Sequence, residues 1–394
     1  MNQYLLLNRI KVQNANAIAG FTWGFPAITH FLGFSHNLSR KLLNTNFDGI
    51  GLAGCAVIAH HHKVHTYRPS YGVGFTQSRN PPYLSSHDKA ATPPVIEEGK
   101  MNMTVSLLIS CEGNIGNRQD AFLQWLEKTC LLQRLAGGTI LEIGNIEICN
   151  IDDDTALRAT KRKLLPGFVL MDRSDYLAEH FNLLQQNNTD SELLNAWLDF
   201  VVLKQKARPK SDLITKHLLN VVKSATDENH SELLTIWNKH LVSPYQEDSV
   251  PEALQRYFGN LEHNNANKKL LEQWHSYSSP TENTEADWEY LPKPASGYLV
   301  PIMTGYKAIS ELYPNHEVDN TRDNETPVCF VESAHSIGEW LSVHRLKSTQ
   351  AISESVWHYH HEENWYLCKQ TQQKYADDTN DEEIITENPN DDFY

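Results

Sequence analysis

A chain of 394 residues exceeds one average domain and can bury a sizeable core, so one large elaborated domain or two domains are expected. Its 10% aromatic content and the lack of any run of eighteen apolar residues exclude a disordered chain and a membrane-spanning helix. The formal net charge of −15 argues against a free-standing nucleic-acid binder, although 8 of the acidic residues fall between Ala376 and Tyr394, where there is no Lys or Arg, which leaves −7 for the rest.

Residues 3 to 25 organise the chain. Tyr4, Leu5, Leu6 and Leu7 start an apolar run that turns alternating at Arg9, Ile10, Lys11, Val12 and Gln13, the pattern of a strand buried on one face with basic and polar groups on the other. Asn14 and Asn16 follow, then a glycine-marked loop with Phe21, Trp23 and Phe25, and a helix that Pro26 can start. Ile28, Phe31, Leu32, Leu38 and Leu42 recur at helical spacing, with His30, His36, Arg40 and Lys41 on other faces. Residues 50–68 pass from small and β-branched residues into the histidines His60, His61, His62 and His65, and Met103–Cys111 gives another buried strand. The Pro-, Ser- and Asn-rich segment 77–94 between them is expected to be loop.

Phe122–Leu135 is expected to be a helix ended by Gly137 and Gly138, followed by a strand over 139–151 with Ile140, Ile146 and Ile148 inward. Arg158, Lys161, Arg162 and Lys163 form the most basic cluster, ahead of a buried strand over Leu164–Met171. From Ser174 to about Ser278 the period is helical, and Leu193-Leu194-Trp197, Leu233-Leu234-Trp237 and Leu270-Leu271-Trp274 set three large apolar groups on one stripe each, as in a bundle of five or six helices. Residues 298–309 and 327–331 read as strands, or as a strand and a turn, able to return to the first sheet, 335–346 reads as helix or loop, and 365–368 as a short strand.

The fold class read from this order is α+β, with helices covering one face of an antiparallel sheet in a ferredoxin-like layout, an RRM- or RAMP-type domain carrying a mainly α-helical insertion. The expected parts are 1–173 and 286–372 for the α+β domain, 174–285 for the helical insertion and 373–394 for a disordered acidic tail. Cys55, Cys111, Cys130, Cys149, Cys329 and Cys368 are far apart beside apolar neighbours, as reduced core thiols are. The N-terminus opens directly on a strand pattern, so a cytoplasmic protein is expected.

Amide side chains read base edges, aromatic faces stack on bases, and Arg and Lys hold phosphate; all three occur within the first strand and turn. The histidines at 60–65, with His358, His360 and His361, could ligate zinc or act as general acid and base, but no HExxH and no Cys pair at ligand spacing accompanies them. Asn320, Arg322, Asp323 and Asn324 form a polar turn, and Ser342, His344 and Arg345 lack a nucleophile elbow. No phosphate-cradling or dinucleotide glycine motif occurs, so no catalytic residue, metal or cofactor is assigned.

The opening LLLNRIKVQNANAIAGFTWGFPAITHFLGFSHNL, the RLAGGTI turn, LLPGFVL, WEYLPKPASGYLVPIMTGYKAIS and TRDNETPVCFVESAHSIGEW with SVHRL resemble the type I-F CRISPR-associated Csy subunit of the Cas5 class, up to about Gln370. The resemblance implies a non-catalytic RNA-binding protein of the RAMP superfamily. Such a subunit holds the 5′ handle of the crRNA and docks with the large subunit and the backbone subunits of a Cascade (Csy) ribonucleoprotein, which recognises double-stranded DNA in antiviral defence. Within the matching segments, Arg9, Lys11, Arg158, Lys161 and Arg162 are then expected on handle phosphates. Gln13, Asn14, Asn16, Trp23 and His30 are expected on bases, with Arg322, His344 and Arg345 as further contacts. The enzyme alternative is a metal-independent endoribonuclease of the same superfamily that processes crRNA with its histidines.

Overall fold

The computed structural model describes residues 3–370 except 21, 48, 77, 80–82, 87–88, 92–94, 97, 225–227, 243–249, 322 and 324; the side chains of 77–97, 224–230, 242–249 and 289 are likewise outside the description. The acidic tail therefore lies outside the described residues. Two compact units result, one from 1–173 with 301–394 and the other from 174–300.

The first unit is built on a ten-stranded sheet. Its strands in chain order are β1 (Gln3–Asn16), β2 (Gly51–Val64), β3 (Lys100–Glu112), β4 (Arg134–Leu135), β5 (Gly138–Asn150), β6 (Phe168–Asp172), β7 (Leu299–Ala308), β8 (Val331–Ser342), β9 (His358–Glu362) and β10 (Trp365–Lys369). Across the sheet they lie in the order β4-β5-β1-β3-β2-β6-β8-β7-β10-β9. β1 runs antiparallel to both β3 and β5, β3 to β2, and β2 to β6.

Why the sheet is buried on both faces along only half its length follows from β1. Tyr4 and Leu6 point into a cluster with Ala56, Ile58, Leu108 and Cys149, capped by Leu157 and Leu164 of helix α3 (Asp154–Leu164) and by Leu346 and Ile352. The opposite face takes α1 (Ile28–Leu42), which packs on β2, and α2 (Gln119–Leu131), which packs on β5. Leu5, Leu7, Ile10 and Val12 are all buried, in keeping with the period-two pattern of β1. A register shift between Leu7 and Ile10, with Arg9 at φ 54°, inserts an extra residue opposite β3 and bends the strand there. Beyond it Lys11 and Gln13 are exposed, because α3 covers only the first half.

Several expectations are corrected. α2 ends at Leu131, not Leu135; Arg134–Leu135 is a strand, and Ala136 (φ 50°) with Gly137 (φ 75°) form the two-residue hairpin turn into β5. Ile140 is buried, whereas Ile146 and Ile148 are only half-buried. Segment 335–346, read as helix or loop, is mostly β8, followed by the 3-10 turn Val343–Arg345. The 77–94 stretch, read as loop, contains short hairpin strands, 78–79 paired with 95–96 and 83–86 with 89–91. Residues 154–164, expected only as a basic cluster ahead of a strand, form α3, which Asp153 caps by accepting the Ala156 N–H at 2.8 Å. Another short helix, α10 (Thr349–Glu354), is capped the same way by Ser348.

The second unit holds α4 (Ser174–Asn187), α5 (Leu193–Val201), α6 (Asp212–Ser224), α7 (Glu228–Val242), α8 (Glu252–Gly259) and α9 (Lys268–Ser278). Ile214, Leu218, Trp237, Leu254, Phe258, Leu270 and Trp274 make its core, with the Phe258 and Trp274 rings stacked at 4.2 Å. All three tryptophans of the repeated pattern are buried, but Leu193 and Leu194 are exposed. A two-stranded ribbon, Gln205–Pro209 against Ala286–Tyr290, also belongs to this unit, which runs to residue 300.

Of the cysteines, five are buried and Cys329 is half-buried, and all six are free thiols. Burial pushes the Cys130 and Cys368 thiols up to about 12. No helix among the described residues is long and apolar enough to cross a membrane.

Candidate nucleic-acid interface

The bulge in β1 divides its polar residues into a fixed seam and an open surface. In the seam, the buried Ser106 hydroxyl of β3 donates to Asn8 Oδ1 at 2.8 Å and accepts the Arg9 backbone N–H at 2.9 Å. His60, the extra residue of a matching bulge in β2, meets Ser106 Oγ through Nε2 at 2.7 Å and the Pro166 carbonyl through Nδ1 at 2.7 Å. The Arg9 guanidinium donates to the Leu165 carbonyl at 3.0 Å. His60 Nδ1 and one arginine nitrogen are thus spent on fixing the turn from α3 into β6, and His60 Nε2 on Ser106 of β3. Burial, reinforced by the Arg9 charge, holds the His60 imidazole below its ordinary value, against the opposing pull of the Pro166 carbonyl.

Past the seam, Lys11, Thr104 and His61 sit side by side on neighbouring strands, and Asn102 and Lys63 form the next row. Lys11 also pairs with Glu142 of β5 at 2.6 Å, with both side chains more than half exposed, so the pair is held loosely. Gln13 and Asn14 are exposed at the end of this surface, and Asn14, at φ 57°, donates its backbone N–H to Asn102 Oδ1. Cation, amide and imidazole groups therefore share one uncovered half of the sheet. Such a surface can track a phosphate backbone and read splayed bases.

A second basic surface borders the first. Lys161 donates to the carbonyls of His344 (2.8 Å) and Leu346 (2.7 Å), which joins the end of α3 to the 3-10 turn after β8. The join brings together two groups separate in sequence: Arg158, Lys161 and Arg162 with His344, Arg345 and Lys347. Arg158 and Arg162 lie one helical turn apart on the exposed side of α3, and neither they nor Arg345 and Lys347 has an ion-pair partner among the described residues. Lys163 is neutralised by Glu147 at 2.6 Å. His344 Nδ1 meets Ser342 Oγ at 2.7 Å, a contact within the turn.

The remaining predicted contacts fall elsewhere or are engaged. The Asn16 amide closes a local turn with Ile18 through both its atoms. Trp23 stacks on Phe75 at 4.0 Å and packs so tightly over Gly99 that a Cβ there would lie 2.5 Å from the ring, which leaves little of the indole for a base. His30, half-buried in the first turn of α1, faces the Ala27 carbonyl at 3.2 Å, and burial lowers its basicity. Phe25 packs against Phe31 and Trp340. Arg322 and Phe21 lie outside the described residues.

The structure adds Thr104, Asn102, His61, Lys63 and Lys347 to the set. The alternation of residues 61–63 was the available signal, since it sends His61 and Lys63 to one side and His62 to the other. The two histidine groups do not meet. His358 lies beside Gly54, so His60 is about 20 Å away along β2 at ~3.3 Å per residue. No group of His, Cys, Asp or Glu able to hold a metal occurs among the described residues.

Comparison with known proteins gives the family. The profile described as CRISPR-associated protein (Cas_Csy2) matches residues 5–217 and 212–368. A curated relative, the CRISPR-associated protein Csy2 of Pseudomonas aeruginosa (strain UCBPP-PA14), is 30% identical over 379 residues, covering 91% of each chain. A profile match running nearly from end to end, and a relative that shares 30% of its residues over 91% of each chain, place this chain in the Csy2 family of CRISPR-associated proteins.

Proposed function

We propose that the chain is a non-catalytic, Cas5-class subunit of a type I-F CRISPR ribonucleoprotein, the Csy complex, and that it grips the 5′ handle of the crRNA. The observation that carries this reading is the uncovered half of the central sheet, lined by Lys11, Gln13, Asn14, Asn102, Thr104, His61 and Lys63 and bordered by Arg158, Arg162 and Arg345. The strand–helix–strand–strand–helix–strand order with β5-β1-β3-β2 side by side supports a ferredoxin-like, RAMP-type core, a layer that binds RNA on the face its helices leave free.

The local character of the basic surfaces resolves the conflict with an acidic chain, because handle phosphates meet only the cations near them. The helical unit is the place we assign to contact with the large subunit, and target double-stranded DNA is met through the assembled complex. A cytoplasmic ribonucleoprotein is the setting for all of this. Cleavage is not assigned: both ring nitrogens of His60 are engaged, and the C-terminal histidines sit at the other end of β2.

The test is binding of a 5′-handle oligonucleotide across a salt series. Each cation lost from a single-strand contact should flatten the slope of log K against log salt by roughly 0.7, so Arg158→Gln with Arg162→Gln should flatten it by about 1.4. Lys11→Gln with Lys63→Gln should act alike. An unchanged slope in both double variants would overturn the assignment. Incubation with repeat RNA should yield no cleavage; metal-independent cuts lost in His60→Ala would establish the endoribonuclease instead.

A further inference from the structure

We infer that the Lys11–Glu142 pair is a base-reading subsite on the open half of the sheet, selective for an unpaired guanine. Lys11 of β1 lies directly opposite Glu142 of β5, so both side chains stand on the same face, beyond the cover of α3. Their contact, Lys11 Nζ to Glu142 Oε1 at 2.6 Å, uses one carboxylate oxygen and one ammonium hydrogen. Neither side chain has another hydrogen-bond partner among the described residues, which leaves Oε2 and two ammonium hydrogens open. In the next row Arg134 of β4 lies opposite Thr139 of β5, itself opposite Gln13 of β1. Arg134 is exposed at the outer corner of this face, has no ion-pair partner among the described residues, and is placed to hold the phosphate beside the base.

A carboxylate needs a reason on such a surface. Among the described residues Glu142 is the one acid on the uncovered rows: β1 and β2 contain none, Glu112 ends the far side of β3, and Glu147 of β5 is held by Lys163 of α3. A phosphate chain is repelled by Glu142, and an exposed ion pair contributes little to stability, so neither backbone binding nor folding accounts for it. Reading a base edge does. The pair presents acceptor, acceptor and donor in a row, namely Oε2, Oε1 and the ammonium. Guanine carries the complement on its Watson–Crick edge, with N2–H and N1–H as donors and O6 as acceptor. Each carboxylate oxygen has two lone pairs, so Oε1 can take the lysine and the base together. Cytosine and adenine offer the pair one donor and one acceptor, whereas uracil turns a carbonyl toward the carboxylate on each side of its N3–H. The expected order is guanine, then adenine and cytosine, then uracil.

The subsite rests on the proposed RNA grip, yet each can fail separately. The probes are single-stranded RNA 8-mers with uridine at every position but the fourth, which carries guanine, inosine, adenine, cytosine or uracil; each is titrated into the full chain at low salt. The guanine 8-mer should bind about tenfold more tightly than the all-uridine one, the lower end of what a bidentate contact discriminates, because the site is exposed. Inosine, which lacks the N2 donor, should retain only about threefold of that preference. Glu142→Gln removes a charge of the wrong sign and one of the two acceptors. It should bind the all-uridine 8-mer about twofold more tightly and prefer guanine by less than about twofold, with its urea midpoint within about 0.2 M of the parent's. Glu98→Gln frees Lys100 from a surface pair of the same kind (2.8 Å) and should tighten every 8-mer alike, with the order of bases unchanged. Equal binding of the guanine 8-mer and either the inosine or the all-uridine one, or a guanine preference kept in Glu142→Gln, would overturn the subsite and leave the grip standing. If the full chain binds none of the 8-mers, grip and subsite fall together.

Discussion

Lys161 tests whether the basic turn is a phosphate contact or a tether. Its ammonium donates to the carbonyls of His344 and Leu346 at 2.8 and 2.7 Å, and partial burial holds its basicity below the ordinary lysine value. Lys161→Met keeps the stem over the helix and removes both bonds. A bond to a charged donor contributes about 1.5–3 kcal/mol, but the site is half-exposed, so water recovers most of it and roughly 1–2 kcal/mol in total should be lost. With a urea slope of about 3 kcal/mol/M, the midpoint should move down by roughly 0.3–0.6 M. The control is Arg162→Gln, one residue on, exposed and without a described ion-pair partner, which should leave the midpoint within about 0.2 M. In the handle assay the order should invert: Arg162→Gln flattens the salt slope, whereas Lys161→Met lowers affinity with little change in slope. A midpoint unchanged in Lys161→Met, together with a slope change like that of Arg162→Gln, would refute the tether and return Lys161 to the phosphate contacts.

Acid should destabilise the first unit through His60. Its folded-state basicity is depressed, so its contribution is complete above the ordinary value of 6.5 and is lost as pH falls below it; urea midpoints from pH 8 to 5 should decline below about pH 6.5, less so in His60→Gln. Trp237→Ala removes a fully buried indole whose Nε1 donates to Thr215 Oγ1 at 3.0 Å, and should cost the helical unit about 3–5 kcal/mol, read as an earlier thermal transition. Gly99→Ala places a methyl group against the Trp23 ring, and should shift Trp23 fluorescence and lower stability by roughly 1–3 kcal/mol. Thiol titration of the folded protein should find Cys329 reacting first, with the five buried thiols silent until unfolding.

What the sequence discloses and what it hides divide along the kind of interaction. The alternation from Arg9 to Gln13 correctly places Ile10 and Val12 inside and Lys11 and Gln13 outside, because a strand with one buried face writes its geometry into every second residue. The tryptophans of the helical stripes are buried for the same reason at a different period. Arg9 escapes the rule because the bulge turns it back toward the Leu165 carbonyl, and no local pattern announces a bulge. Trp23 reads as a stacking platform only until Phe75, 52 residues further along the chain, covers one of its faces. The meeting of α3 with the turn at His344 joins residues 183 positions apart, a fact available only once the sheet order is known. α3 itself carries a legible signal in the capping aspartate Asp153, three residues before the Ala156 N–H it accepts.

Because only half of β1 is roofed by α3, the two ends of a single strand are under separate constraints. Changes at Tyr4 to Leu7 disturb packing on both sides and should be filtered by stability alone. Changes at Lys11, Gln13 and Asn14, unlike those at the buried Val12 between them, leave the core untouched and can drift with whatever ligand the surface meets. Diversification of recognition in such proteins can thus proceed within one strand, a few residues from a framework that scarcely notices.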